Sequence, residues 1–145
     1  MSKLVRNLRR VVKVSPVMTA DDNADNDVAF DWTAVNISTE NGLATMLQSV
    51  AILDADDSAA ALELVFCIGS DADGTAPSAA QGLIGGATAG SAVVDITGAE
   101  AQAVQICGNI QMPLSEGDLL TAYAITVANI GLILQPAVNS KTIYM

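Results

Sequence analysis

Histidine is absent from the 145 residues. That removes His-based nucleophile activation, the commonest general base near neutral pH, and every zinc site with an imidazole ligand. Cysteine is nearly absent: Cys67 and Cys107 are too few for a disulfide scaffold or a thiolate zinc centre. Aromatic residues make up only 3%, with one Trp, two Tyr and two Phe. An aromatic-lined cleft for sugar chemistry therefore has little to draw on, and the core must be built from Ala, Val, Leu and Ile. Charged residues are 15%, below the usual ~25%. With 51% hydrophobic residues, that excludes disorder for most of the chain. The length suits one domain, able to bury about 68–70% of its unfolded surface without a disulfide or metal.

Positive charge is scarce and confined. Lys3, Arg6, Arg9, Arg10 and Lys13 occupy the first thirteen residues, and Lys141 is the only other cation. All sixteen acids fall between Asp21 and Asp118. The arm thus carries +5, while sixteen acids against one lysine leave the rest at −15, giving the net −10. A body with that field repels nucleic acid and anionic membranes, so neither is an expected partner. The arm suits a tether to an acidic surface, such as that of a neighbouring protomer. Its candidate partner-binding residues are Lys3, Leu4, Arg6, Leu8, Arg9, Arg10, Val11, Val12 and Lys13; the plainer alternative is a solvated tail. The apolar stretch Val11–Met18 is too short for a secretory leader and is interrupted by Lys13 and Pro16. Leu119–Val138 has no charge over twenty residues, long enough for a membrane span. Its Thr121, Thr126, Asn129, Gly131, Gln135 and Pro136, without flanking aromatic belts, fit two adjacent buried strands better.

Residues 1–20 read as the basic arm and 21–27 as an acidic linker, followed by a single domain over 28–145. Leu4, Leu8, Val11 and Val12 fall near one helical face, yet the valines equally suit an extended arm, so both forms stay open. From Val28 the hydrophobic period is two. Val28, Phe30, Trp32 and Ala34 alternate with polar or small residues, placing Trp32 in the core. Thr45–Leu53 forms a strand with Val50 and Ile52 opposite Ser49 and Ala51. Leu62, Leu64, Phe66 and Ile68 alternate most cleanly. Gly69–Gly90 is a long loop, with a helical turn near Ser78–Leu83. Further strands are expected at Ala92–Thr97, Val104–Met112, Leu119–Ala128, Ile130–Leu134 and Lys141–Tyr144. About eight short strands without room for a normal helix predict an all-β fold, an antiparallel β-sandwich of jelly-roll type.

Motifs that could carry chemistry are thin. Asp54, Asp56 and Asp57, and separately Asp71 and Asp73 before Gly74, have spacings that hard cations accept. Asp and Gly are equally the residues of turns, and the distal Glu of a calcium loop is missing, so turns are the favoured reading. Gly82–Gly90 is Gly-rich but lacks the lysine of a phosphate loop. Cys67 and Cys107 fall on the more polar strand faces and read as two free thiols, with no base to activate either. No catalytic residue, metal or cofactor is expected. A high mean hydropathy of +0.42 with few large side chains implies that some strand faces meet another protomer, a trimer being favoured over a dimer.

Val35-Asn-Ile-Ser-Thr-Glu-Asn-Gly42, followed by the run from Leu47 to Phe66, resembles small virion proteins of tailed bacteriophages. Thr75-Ala-Pro-Ser and Asn129-Ile-Gly-Leu-Ile-Leu resemble the same group more loosely, and together these segments cover about a third of the chain. Members of that group continue past the segment matching Thr142–Met145. The resemblance implies a capsid decoration, or cement, protein: a β-sandwich on the virion surface that binds the major capsid protein and locks neighbouring capsomers, assembled in the host cytoplasm. The rival from another class is a secreted adhesin or pilus-type module, for which a signal peptide is expected.

Overall fold

The computed structural model describes residues 10–16, 29–54, 62–77, 105–112 and 123–145. Six strands and no helix occur among them: β1 (Ala34–Asn36), β2 (Thr45–Asp54), β3 (Leu62–Cys67), β4 (Ile106–Met112), β5 (Tyr123–Leu134) and β6 (Thr142–Tyr144). Every pairing is antiparallel. One sheet has four strands in the order β1-β6-β3-β4, and β2 pairs with β5 in a second. The expected all-β, antiparallel class is therefore present.

The cleanest alternations became strands with the expected faces. Val50 and Ile52 of β2 pack toward the core while Ser49 and Ala51 face out. Leu64 and Phe66 of β3 are buried, as are Ile110 and Met112 of β4. Other expectations need correction. Residues 31–33 form no strand; β1 begins only at Ala34 and ends at Asn36. Trp32 is only partly buried and takes no part in the central cluster, whereas Phe30 packs against it. Leu119–Ala128 and Ile130–Leu134, expected as two strands, are from Tyr123 onward one strand, β5, with an irregularity in its pairing; residues 119–122 lie outside the described residues. Leu47 pairs with Leu132 and Ser49 with Ala128, so one β2 residue faces three of β5. Asn129 (φ 59°) and Gly131 (φ 66°) absorb the excess in left-handed conformations that Asn and Gly tolerate best. Ile130 between them packs inward. No described helix is long and apolar enough to cross a membrane. The expected strand at Ala92–Thr97 and the helical turn near Ser78–Leu83 lie outside the described residues, as does the linker Asp21–Asp27.

The core draws on both sheets. Val35, Leu64, Phe66, Ile110, Met112 and Ile143 of the larger sheet and Leu134 of β5 form one buried cluster. Leu47, Val50 and Ile52 of β2 and Val127, Ile130 and Leu132 of β5 pack against it. Gly108 lets the layers approach, because a Cβ there would meet the Leu132 side chain at 2.8 Å. Near the centre is β6, between β1 and β3, with Val35 opposite Ile143 and Cys67 opposite Tyr144. Backbone bonds extend its pairing at both ends. The Thr33 and Met145 amides each donate to the other's carbonyl (2.9 and 3.0 Å), and the Ile37 amide donates to the Lys141 carbonyl (3.0 Å).

Two isoleucines ten residues apart test this placement. Ile143 is 0% exposed and Ile133 is 62% exposed. Ile143→Ala should cost about 2–5 kcal/mol through lost burial and the cavity left behind. Ile133→Ala should change stability by no more than about 0.5 kcal/mol. Urea unfolding of the two variants gives the comparison, and equal midpoints would contradict a central β6.

Candidate functional site

The base of the N-terminal arm, Arg10–Pro16, runs without helix or strand. Val14 packs against the core cluster, and the Arg10 guanidinium donates to the Asn36 side-chain oxygen in β1 at 3.3 Å. These two contacts fix the segment beside the sheet's first strand. Val11 is nevertheless 95% exposed, and Val12 and Lys13 are also exposed. Of the candidate partner-binding residues, Arg10, Val11, Val12 and Lys13 are thus placed together on the surface. Lys3, Leu4, Arg6, Leu8 and Arg9 lie outside the described residues. Val14 was not among the candidates; its place at the end of the valine run was the available signal.

The first part of the long Gly-rich loop, residues 69–77, is a hydrogen-bonded unit docked on the turn before β6. Asp71 organises it. One carboxylate oxygen accepts from the amides of Asp73 (3.0 Å) and Thr75 (2.9 Å), and the other accepts from the Thr75 hydroxyl (2.6 Å). The Gly74 amide donates to the Asp71 carbonyl at 3.1 Å. Asn139 then ties the loop to the 137–140 turn, its amide to the Ala72 carbonyl (3.1 Å) and its side chain to Asp73 (2.7 Å). Gly74 has φ 70°, and a Cβ there would lie 2.6 Å from the Ser140 side chain, so no other residue fits without movement. From β6, the Tyr144 hydroxyl donates to the Gly74 carbonyl at 2.7 Å.

Asp71 serves a turn here: three donors engage its two carboxylate oxygens and brace the loop. Asp73 bonds Asn139 rather than converging with it. Asp56 and Asp57 lie outside the described residues, and among those described no group of three His, Cys, Asp or Glu is placed to hold a metal.

Both cysteines are free. Cys67 departs from the polar-face expectation, being 0% exposed where β3 meets Tyr144 and the start of the 69–77 loop. Burial pushes its thiol up to about 12, and burial also raises Cys107. Neither supplies a thiolate nucleophile near neutral pH.

A second exposed apolar surface lies on the outer face of β2 and β5. Met46 and Ile133 pair directly across the strands, both more than half exposed, and Leu53 lies toward the other end of β2. Leu43 and Val138, in the adjoining loops, are exposed as well. The chain matches no family model, no curated protein and no solved structure.

The Asp71 brace has a pH signature. The Thr75 hydroxyl, then the Thr75 amide, hold its carboxyl below the ordinary carboxylate range. A lowered folded-state pKa adds stability that is complete above the unfolded value of ~3.9 and lost as pH falls through the folded value. Asp71→Asn should therefore lower the urea midpoint at neutral pH and reduce the further loss on acidification below about pH 4. An acid limb identical to that of the parent protein would show that Asp71 contributes nothing to it.

Proposed function

We propose that this chain is a structural virion protein of the capsid-decoration type. In this reading the two sheets are the layers of a β-sandwich of jelly-roll kind, and the basic arm attaches that body to the outside of a phage head shell. Its partner there is the major capsid protein, and its effect is to hold neighbouring capsomers together. The shared apolar cluster of the two sheets supports the sandwich. The resemblance carried by Val35–Phe66 supports the virion assignment, and with it a place on the capsid surface.

One observation carries the attachment role. Val14 and Arg10 anchor the arm beside β1, while Val11 and Val12 are left outside the core next to Lys13. Exposed ion pairs are worth about 0–1 kcal/mol each and weaken with salt. Full burial of a Val or Leu side chain against a partner contributes roughly 1.5–3 kcal/mol. Apolar residues of the arm therefore hold it down, and the basic ones steer it toward acidic surfaces and raise the association rate.

Removing residues 1–13 retains Val14 and the whole alternating core, so the truncated protein should fold normally yet fail to occupy shells stripped of this protein. Leu4→Asp combined with Leu8→Asp should nearly reproduce that loss. Arg6→Gln with Arg9→Gln, which leaves the Arg10 anchor in place, should mainly slow binding and flatten its salt dependence. Occupancy measured by add-back to stripped shells gives the result, and full occupancy by the truncated protein would overturn the role given to the arm.

A further inference from the structure

The outer face of β2 and β5 is unusual in a chain of net charge −10. From Thr45 to Leu53 and from Thr126 to Leu134 there is no ionisable residue. Met46, Gln48, Ser49, Ala51 and Leu53 are exposed on β2, facing exposed Thr126, Ala128 and Ile133 on β5. Two copies of this protein repel each other wherever their acidic surfaces approach. A partner of opposite charge gains nothing from a neutral strip and would engage the acids instead. We infer that this face is a self-association surface and that its occupant is the same face of a second copy.

The layout of side chains suits a twofold contact. The middle of the strip, at the Ser49–Ala128 and Ala51–Thr126 pairs, carries small residues, with Gln48 beside them. The large ones sit toward the ends, with Met46 and Ile133 at one and Leu53, 69% exposed, at the other. Rotation about an axis through the middle sets Met46 and Ile133 of each copy over Leu53 of its mate, while the small residues allow close approach. Such an isologous contact is closed with two copies, so the face points to a dimer rather than the trimer that composition favours. Ten residues at ~3.3 Å rise and two strands about 10 Å wide give a strip of roughly 330 Å². That is less than half of the ~800 Å² per partner buried in a stable complex. The dimer is therefore weak and concentration-dependent, and it requires no capsid.

Sedimentation of the full chain from about 10 µM to about 1 mM should show reversible dimerisation. Association should strengthen with added salt, because screening reduces repulsion between two like-charged bodies. Ile133→Glu, and separately Ser49→Glu at the centre of the strip, should each lower the association constant at least tenfold. Circular dichroism reports that both variants fold, and Val12→Glu in the arm should leave dimerisation unchanged. A parent protein that stays monomeric over the whole range overturns the inference. So does a dimer unaffected by both face variants, or one that salt dissociates and Val12→Glu abolishes, which would place the contact in the arm. Because no shell is present, failure here leaves the attachment reading standing, and failure of shell add-back leaves this face standing.

Discussion

The structure hangs on three residues near its C-terminus. Thr142–Tyr144 fill the gap between β1 and β3, and the larger sheet has no continuous hydrogen-bonded ladder without them. Ile143 supplies a fully buried side chain to the core face, and Tyr144 on the opposite face covers Cys67 and reaches the 69–77 loop. A short segment can hold so central a place because both of its neighbours are formed by distant parts of the chain. Their backbone groups would otherwise be left unpaired, at a cost comparable to lost hydrogen bonds. The β1–β6 pairing joins residues over a hundred positions apart, so a large loop-closure cost precedes its contacts.

From β6 the dependence passes outward to the loop. The Tyr144 hydroxyl donates to the Gly74 carbonyl, and burial raises its pKa above the ordinary tyrosine value. Gly74 can offer that carbonyl only in its left-handed conformation, which the Asp71 carboxylate helps to set by gathering Asp73 and Thr75. Acidic residues read from the sequence as turn residues are thus part of the packing on the sheet's outer side. The same cover explains the fully buried Cys67.

Where an alternating run had a partner strand of matching length, its sequence pattern was legible: Thr45–Leu53 and Leu62–Phe66 show the expected faces. The run from Val28 to Ala34 alternates just as well but is not a strand through residues 31–33. Alternation reports an amphipathic segment, and the ladder must come from elsewhere in the chain. Reading β5 as two strands had a local cause, since Asn129 and Gly131 look like turn residues. Here they accommodate an irregularity inside a continuing strand. Cys67 was misplaced because its cover comes from Tyr144, 77 positions away, and no periodicity encodes that. In the arm, the valine run was legible as an apolar segment, but which valine anchors and which stay outside depends on the position of β1.

Charge and apolar surface are separated in this protein, and the separation defines what each can do. A net charge of −10 acts over about 10 Å at moderate salt and discourages indiscriminate association. Apolar contacts act only on touching and carry no sign. The arm combines the two, so an acidic surface can attract it before its leucines and valines are buried. The β2–β5 face has only the second, and nothing draws a partner to it from a distance. Concentration alone can fill it, whether in free solution or on a surface where copies are held side by side. A protein attached by its arm to a crowded lattice would raise the local concentration of the neutral face at no further cost in affinity. Contact along that face would in turn lengthen the residence of each arm. On the proposed reading the weak strip and the charged tether are complementary: the arm sets where the protein accumulates, and accumulation there adds to whatever association of the sheet face free solution already allows.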